Sequence, residues 1–274
     1  LRGPTQAKQK EWKALSQDIL FEKRDAVAWI TFNRPERHNA FDYTMLETVH
    51  GHLEDINHDP SIGVVVFTGA GEKAFCAGGY LKDLTKFDKK TARKLYDGSW
   101  NTFSLMRRMP QPIIAAVNGF AIGGGNEFVI LADLAIASEN ARFGQTGPRI
   151  GSAPFYGATN LFSLTVGEKK AREVVYMCRQ YSAQEALEMG WINKVVSQDQ
   201  LIPEVQQWCE ELLDKSPAYL EVSKIMSNIW WDNITAGMEH AKLAMMQLAG
   251  GPQMTEGATA FMEKRKPDFR QFRK

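Results

Sequence analysis

Two glycine-centred turns carry the residues most able to do chemistry in this sequence. The first reads AFCAGGYLKDL from Ala74; the second reads GFAIGGGNEF from Gly119 and holds one acid, Glu127, just ahead of Phe128, Val129, Ile130 and Leu131. Each turn follows a short apolar run, VVVF or PIIAAV, of buried-strand length. Glycines after a strand let a ligand approach the backbone and leave N–H groups free, and a helix N-terminus adds partial positive charge. Two such N–H groups, one from each turn, could grip one carbonyl oxygen from two sides as an oxyanion hole. Glu127 admits two readings. It can be a first-turn carboxylate that complements the helix dipole by about 0.3–1 kcal/mol, or a half-buried general base beside the hole. Its apolar neighbours favour the second.

Other chemistries find little support. GGGNE lacks the terminal glycine of GxGxxG, and no GKS or GKT is present, which disfavours a nucleotide phosphate cradle. His38, His50, His52, His58 and His240 show no metal-ligand spacing, so no metal is expected, and no GxSxG elbow points to a serine nucleophile. A formal net charge of +1 gives no global field for nucleic acid or an anionic membrane. Cys76, Cys178 and Cys209 are odd in number and widely spaced, which fits a reducing compartment and a cytoplasmic location. No run approaches the roughly 18 apolar residues of a membrane span.

The elements that must position these turns alternate. ILFEKR and AVAWITFN read as a hairpin. Met45, Val49, Leu53 and Ile56 recur at helical spacing, and GVVVFTG follows as a strand covered on both faces. A second helix runs through FDKKTARKLYDGSWNTFSLMRRM and stops at PQP, before the next strand, IIAAVNG. A short helix is expected near Asn126, strand character in LAIASENARFGQ, and helices in VGEKKAREVVYMC and SAQEALEMG. Beyond WINKVV the pattern is almost wholly helical. The expected organisation is an N-terminal arm over 1–18, an α/β core over 19–198 and a helical region over 199–274.

NRPERHNAF, VVFTGAGEKAFCAGG, PIIAAVNGFAIGGGNE, FGQTG and FMEKRKPDF, in that order, resemble the crotonase, or enoyl-CoA hydratase/isomerase, superfamily. The resemblance implies a spiral of ββα units and a C-terminal helical trimerisation region. It further implies a homotrimer or dimer of trimers and an acyl-CoA substrate, with no cofactor beyond the coenzyme A that the substrate carries. It places the oxyanion hole at the N–H groups of Gly79 and Gly124 and makes Glu127 the first of two glutamates that hydratases arrange around one water. It assigns Arg34, Ala40 and Ala77 to the coenzyme A side, and Phe261 and Lys264 to the nucleotide of an adjacent subunit. For Lys264, a solvated charged helix end fits equally well.

The second glutamate is absent, and Gly147 stands in its place. FGQTGPRIGS and VGEKKAREVVYMCRQYSAQEALEMG resemble the branch containing dihydroxynaphthoyl-CoA synthase, 2-ketocyclohexanecarboxyl-CoA hydrolase and 6-oxocyclohex-1-ene-1-carbonyl-CoA hydrolase. That branch usually reads Gly-Ser-x-Asp where this chain has GSAP, with Pro154 and no acid; GSAP followed by GAT is similar to the last of these enzymes. The expected chemistry is hydrolytic carbon-carbon cleavage of an alicyclic β-oxoacyl-CoA. Gln145, Thr146 and Ser152 could orient water or ketone, or serve only as turn hydrogen-bond partners; Tyr80 or Tyr156 could donate a proton. The alternatives are hydration of an unusual or cyclic enoyl-CoA, and a catalytically silent interaction protein of the same fold.

Overall fold

The computed structural model describes residues 17–80, 88–154 and 156–273. All but the last two residues of the expected N-terminal arm lie outside the described residues.

The chain begins as expected with an antiparallel hairpin, β1 (Ile19–Arg24) and β2 (Val27–Phe32), in which Phe21 faces Ile30. Helix α1 (Tyr43–Asn57) starts where the Asp42 carboxylate accepts the Met45 N–H at 3.0 Å. Such a cap contributes about 1 kcal/mol. The helix buries the predicted stripe of Met45, Val49, Leu53 and Ile56. Strand β3 (Val64–Gly69) is buried along its whole length and runs parallel to β2.

From here the chain places strands alternately in two sheets. β4 (Ala74–Cys76), β6 (Phe120–Ile122) and β8 (Arg142–Gly144) join β9 (Gln180–Ser182) in a four-stranded sheet of order β4-β6-β8-β9. β5 (Ile113–Val117), β7 (Leu134–Ser138) and β10 (Lys194–Val196) extend a six-stranded sheet of order β1-β2-β3-β5-β7-β10. From β3 on, each ββα unit adds one strand to each sheet, so the chain winds as a ββα spiral. Helices α2 (Lys89–Arg108) and α3 (Gly124–Leu131) complete the units that carry the site.

Two buried asparagines hold the β3–β4 crossover. Asn118 donates to the Gly69 and Gly71 carbonyls and accepts the Gly69 N–H; Asn39 donates to Ala70 and Ala74 and accepts the Arg34 N–H. A buried loop has few other ways to satisfy its polar backbone. Beneath the glycine turns, Phe128 is the hub of an aromatic cluster, its ring centroid 4.8 Å from Phe103, 5.0 Å from Phe32 and 6.0 Å from Phe41.

After α4 (Leu161–Val166), α5 (Glu168–Met177) and α6 (Ala183–Glu188), the chain turns helical as predicted. The packing does not change at residue 199, however. Helix α7 (Leu201–Leu213) buries Leu201, Val205 and Cys209 against Trp29, Val66 and Ile114 of the large sheet. The helical stretch from Pro217 to Leu248 is two helices, α8 (Pro217–Ser227) and α9 (Ile229–Leu248). They part at Asn228, whose side chain is held by the Arg107 guanidinium and carbonyl. The last helix, α10 (Pro252–Met262), packs on the turn Gly147–Ile150, so closely that a Cβ on Gly257 would lie 2.3 Å from the Ile150 carbonyl carbon.

Candidate active site

The two glycine turns meet. Gly78 adopts φ +89°, and a side chain on it would reach within 2.8 Å of the Ile122 carbonyl and 3.0 Å of the Gly124 nitrogen. Gly123, at φ +57° and ψ −123°, bends the chain into α3, a conformation that L side chains rarely adopt. Close approach fixes the third glycine. A Cβ on Gly125 would stand 1.9 Å from the Cys76 carbonyl oxygen, so α3 rests directly on the end of β4.

Phe41 and Gly79 form a parallel bridge in which Phe41 N–H bonds the Gly78 carbonyl and Tyr80 N–H bonds the Phe41 carbonyl. Gly79's own N–H is therefore turned away from the bridge, beside space so open that an added Cβ would meet nothing within 4 Å. Gly124 is the first residue of α3, where a helix leaves its N–H groups without intrahelical partners. Gly79 and Gly124 line one opening together.

The opening is a cavity of about 140 Å³. Ala77, Gly79, Gly124, Glu127, Gln145, Thr146, Ser152 and Tyr156, all singled out from sequence, line it together. Glu127 is only 6% exposed and is the one carboxylate among the described lining residues. Its Oε1 accepts the Tyr156 N–H at 3.2 Å, which fixes the direction the carboxylate faces. Gln145 donates to the Gly123 carbonyl at 3.2 Å, an oxygen that also accepts the Glu127 N–H.

Other residues stand apart from the cavity. Tyr80 lies beneath the Arg37 guanidinium, 4.8 Å from its ring centroid, and does not line it. Tyr156 does line it, but its hydroxyl donates to the Tyr96 carbonyl at 2.8 Å. Burial pushes that phenol well above its ordinary pKa of 10; a Ser99 hydrogen bond opposes the shift and the Glu127 charge adds to it. Arg34 spends its guanidinium on two carboxylates, Asp42 at 2.6 Å and Asp18 at 2.5 Å. Ala40 is buried behind the same turn, while Phe261 and Lys264 are exposed near the chain end, outside the cavity lining. Cys76 is an inert neighbour: burial pushes its thiol up to about 12, against hydrogen bonds from the Gly78 and Phe41 backbone.

The sequence reading missed the far wall. Leu95, Tyr96 and Ser99 reach the cavity from α2, and Phe41 and Ile150 complete it. The available signal was the pair of polar side chains, Tyr96 and Ser99, three residues apart on the apolar face of a helix.

A two-sheet ββα spiral with paired glycine amides and a buried acid over one cavity defines an acyl-CoA enzyme of the crotonase superfamily. The family model described as enoyl-CoA hydratase/isomerase matches residues 22–273, and the chain belongs to that family. Solved structures agree. An enoyl-CoA hydratase from Bacillus anthracis is 33% identical, with 92% of this chain and 98% of that one covered and a TM-score of 0.74. A carnitinyl-CoA hydratase from Mycobacterium avium is 29% identical over 93% and 99%, with a TM-score of 0.82. An enoyl-CoA hydratase from Mycobacterium avium subsp. paratuberculosis is 25% identical over 92% and 98%, with a TM-score of 0.84. Among the described residues no helix is long and apolar enough to cross a membrane.

Proposed function

We propose that the enzyme opens an alicyclic β-oxoacyl-CoA by hydrolysis of a carbon-carbon bond. The observation that carries this reading is that Glu127 is the one acid among the described residues lining the cavity, with Gly147 where the family resemblance puts a second one. The space beside Gly147 is tight as well: a Cβ there would lie 3.0 Å from Ala153 Cα and 3.1 Å from the Ser152 carbonyl oxygen and Pro154 Cδ.

Glu127 takes a proton from water, and the hydroxide adds to the ring ketone. The adduct collapses by breaking the bond between the former ketone carbon and the α-carbon. The electron pair passes to the thioester as an enolate, whose oxygen accepts the N–H bonds of Gly79 and Gly124. Each such donor contributes about 2.7–4 kcal/mol to transition-state stabilisation. Glu127 returns its proton to the α-carbon, and the product is an open-chain acyl-CoA ending in a carboxylic acid. The tyrosines are left out of proton transfer, because Tyr156 is committed to a backbone carbonyl and Tyr80 is outside the cavity lining. The coenzyme A side falls to the backbone around Ala77, which lines the cavity, more than to the ion-paired Arg34. Met226, Ile229, Trp230 and Leu248, exposed apolar residues of the C-terminal helices, support a homotrimer or larger assembly that would cover them.

Hydration of an enoyl-CoA is the second reading, favoured by the names of the similar structures. Both reactions add one water, so the decisive assay detects the new carboxylate by derivatisation of the product from a cyclic β-oxoacyl-CoA. Glu127→Gln keeps the shape of the side chain and should slow ring opening about 10²–10⁴-fold, the usual worth of a general base. Full activity in that variant, or a product that keeps its ring, would refute the proposal.

A further inference from the structure

A second cavity, of about 250 Å³, opens at the far end of α3 and shares no lining residue with the glycine-turn cavity. Arg107, Asp133 and Trp191 line it, with Val129, Ile130 and Ile192 as apolar neighbours. Its volume is many times the roughly 10–15 Å³ that one water needs.

Two N–H groups of this lining are buried without an acceptor among the described residues, Arg107 Nε and Trp191 Nε1. Neither side chain is free to turn away. The Arg107 guanidinium is anchored by Asn228 Oδ1 and, at 3.4 Å, by the Leu131 carbonyl. The Trp191 ring, 4% exposed, packs against Phe162 and Phe143 with centroids 4.5 and 5.4 Å away. Buried N–H groups normally find partners, so two unmatched ones on the residues of one cavity mark a missing acceptor.

The surrounding charges say what kind of acceptor it is. Asp133 is the only acid within ion-pair distance of Arg107 or Lys224 among the described residues. Its Oδ2 serves the Lys224 ammonium and the Ile113 N–H, both at 2.8 Å. Arg107 Nη1 stands 3.7 Å from Oδ1, beyond hydrogen-bond reach. Two mostly buried cations thus share one carboxylate, an excess of one positive charge. Burial lowers the pKa of both; Asp133 opposes each shift, and the Arg107 charge adds to that of Lys224. One negative charge would restore the balance, whereas Asp133 in the same lining disfavours a dianion.

We infer that this cavity binds a small monocarboxylate, whose oxygens accept the Arg107 Nε–H and the Trp191 indole N–H and whose apolar body rests on Val129, Ile130 and Ile192. Such a site is independent of the reaction proposed for the glycine-turn cavity. It lies behind the helix whose first turn carries Gly124 and Glu127.

Butyrate, butyramide and inorganic phosphate are the probes, titrated at constant ionic strength into the intact protein while its indole N–H resonances are followed by TROSY NMR. The chain has seven tryptophans, and the Trp191 signal is the one that Trp191→Phe removes. No tryptophan is among the described residues lining the glycine-turn cavity, so the readout is local to the second one. Butyrate should move the Trp191 resonance saturably. Butyramide should bind weaker by roughly tenfold or more, the usual worth of a hydrogen bond to a charged group. Arg107→Gln should weaken butyrate by a similar factor; if that variant does not fold, the comparison of acid with amide on the unaltered protein decides. No saturable shift, equal binding of acid and amide, tighter binding of phosphate, or unchanged affinity in a folded Arg107→Gln would overturn the inference.

Discussion

Gly125→Ala separates the spacing of the two glycine turns from their presence. Gly125 bears none of the proposed catalytic groups, but its added methyl would lie 1.9 Å from the Cys76 carbonyl oxygen and 2.6 Å from its carbonyl carbon, where ordinary contact begins at 3.4 Å. Both obstacles are backbone atoms, so no side-chain rotation relieves the overlap. The start of α3 and the end of β4 must part by roughly an ångström, with an overpacking cost of about 1–3 kcal/mol. Gly124 travels with α3 and Gly79 with β4, so the two N–H donors no longer converge on one oxygen. A displacement of about 1 Å in a catalytic constellation costs about 10²-fold in rate. The assay measures kcat on a cyclic β-oxoacyl-CoA together with the melting temperature. Expected are a kcat about 10²-fold lower and a Tm lower by roughly 2–10 °C for a chain of this size. Gly79→Ala is the stability control, since its methyl meets nothing within 4 Å and should leave Tm unchanged. A Gly125→Ala enzyme that melts early yet keeps its kcat would refute the idea that spacing of the turns sets the rate.

Three further outcomes follow from particular side chains. Gly147→Glu should fail to create hydration of linear enoyl-CoA and should lower Tm, because Ala153, Pro154 and Ser152 occupy the space; a gain of hydration in a spectrophotometric enoyl assay would show that the space is available. Asn126 buries both amide atoms without a hydrogen-bond partner, so Asn126→Leu should be neutral or stabilising by up to about 1–3 kcal/mol in urea unfolding; a clear loss would contradict this. Burial lowers the His52 pKa to about 4, against about 6.5 in an unfolded chain. Between those values the unfolded state binds the proton and the native state does not. Stability should therefore fall as pH drops from about 6.5 to about 4 and then level off, a slope that His52→Gln should reduce in a pH series of unfolding midpoints.

The strands, the first helices and both glycine turns were legible because each rests on local pattern: apolar runs of strand length, helical spacing from Met45 to Ile56, and glycine at a strand end. Glu127 was legible for the same reason, as one acid in an apolar run. The features that were not legible depend on distant partners. Tyr156 meets the Tyr96 carbonyl across 60 residues of sequence, which turns a candidate proton donor into a wall. Arg34 looked available for coenzyme A until Asp18 and Asp42 were placed on either arm of its guanidinium. Nothing local in the sequence marks His52 for burial, but Phe21 of the first strand stacks on it at 4.9 Å and half-buries it. Similarly, the break at Asn228 within a continuous apolar pattern comes from Arg107, more than a hundred residues upstream.

The seating of α10 on the turn Gly147–Ile150 has a consequence for the order in which the protein is built. Gln253 and Gly257 lie against Gly151 and Ile150, so the last helix backs a wall of the cavity whose own residues all precede it. A nascent chain still short of Pro252 holds both glycine turns and Glu127 but lacks that backing. The backing of that wall is therefore complete only after the C-terminal helix has left the ribosome.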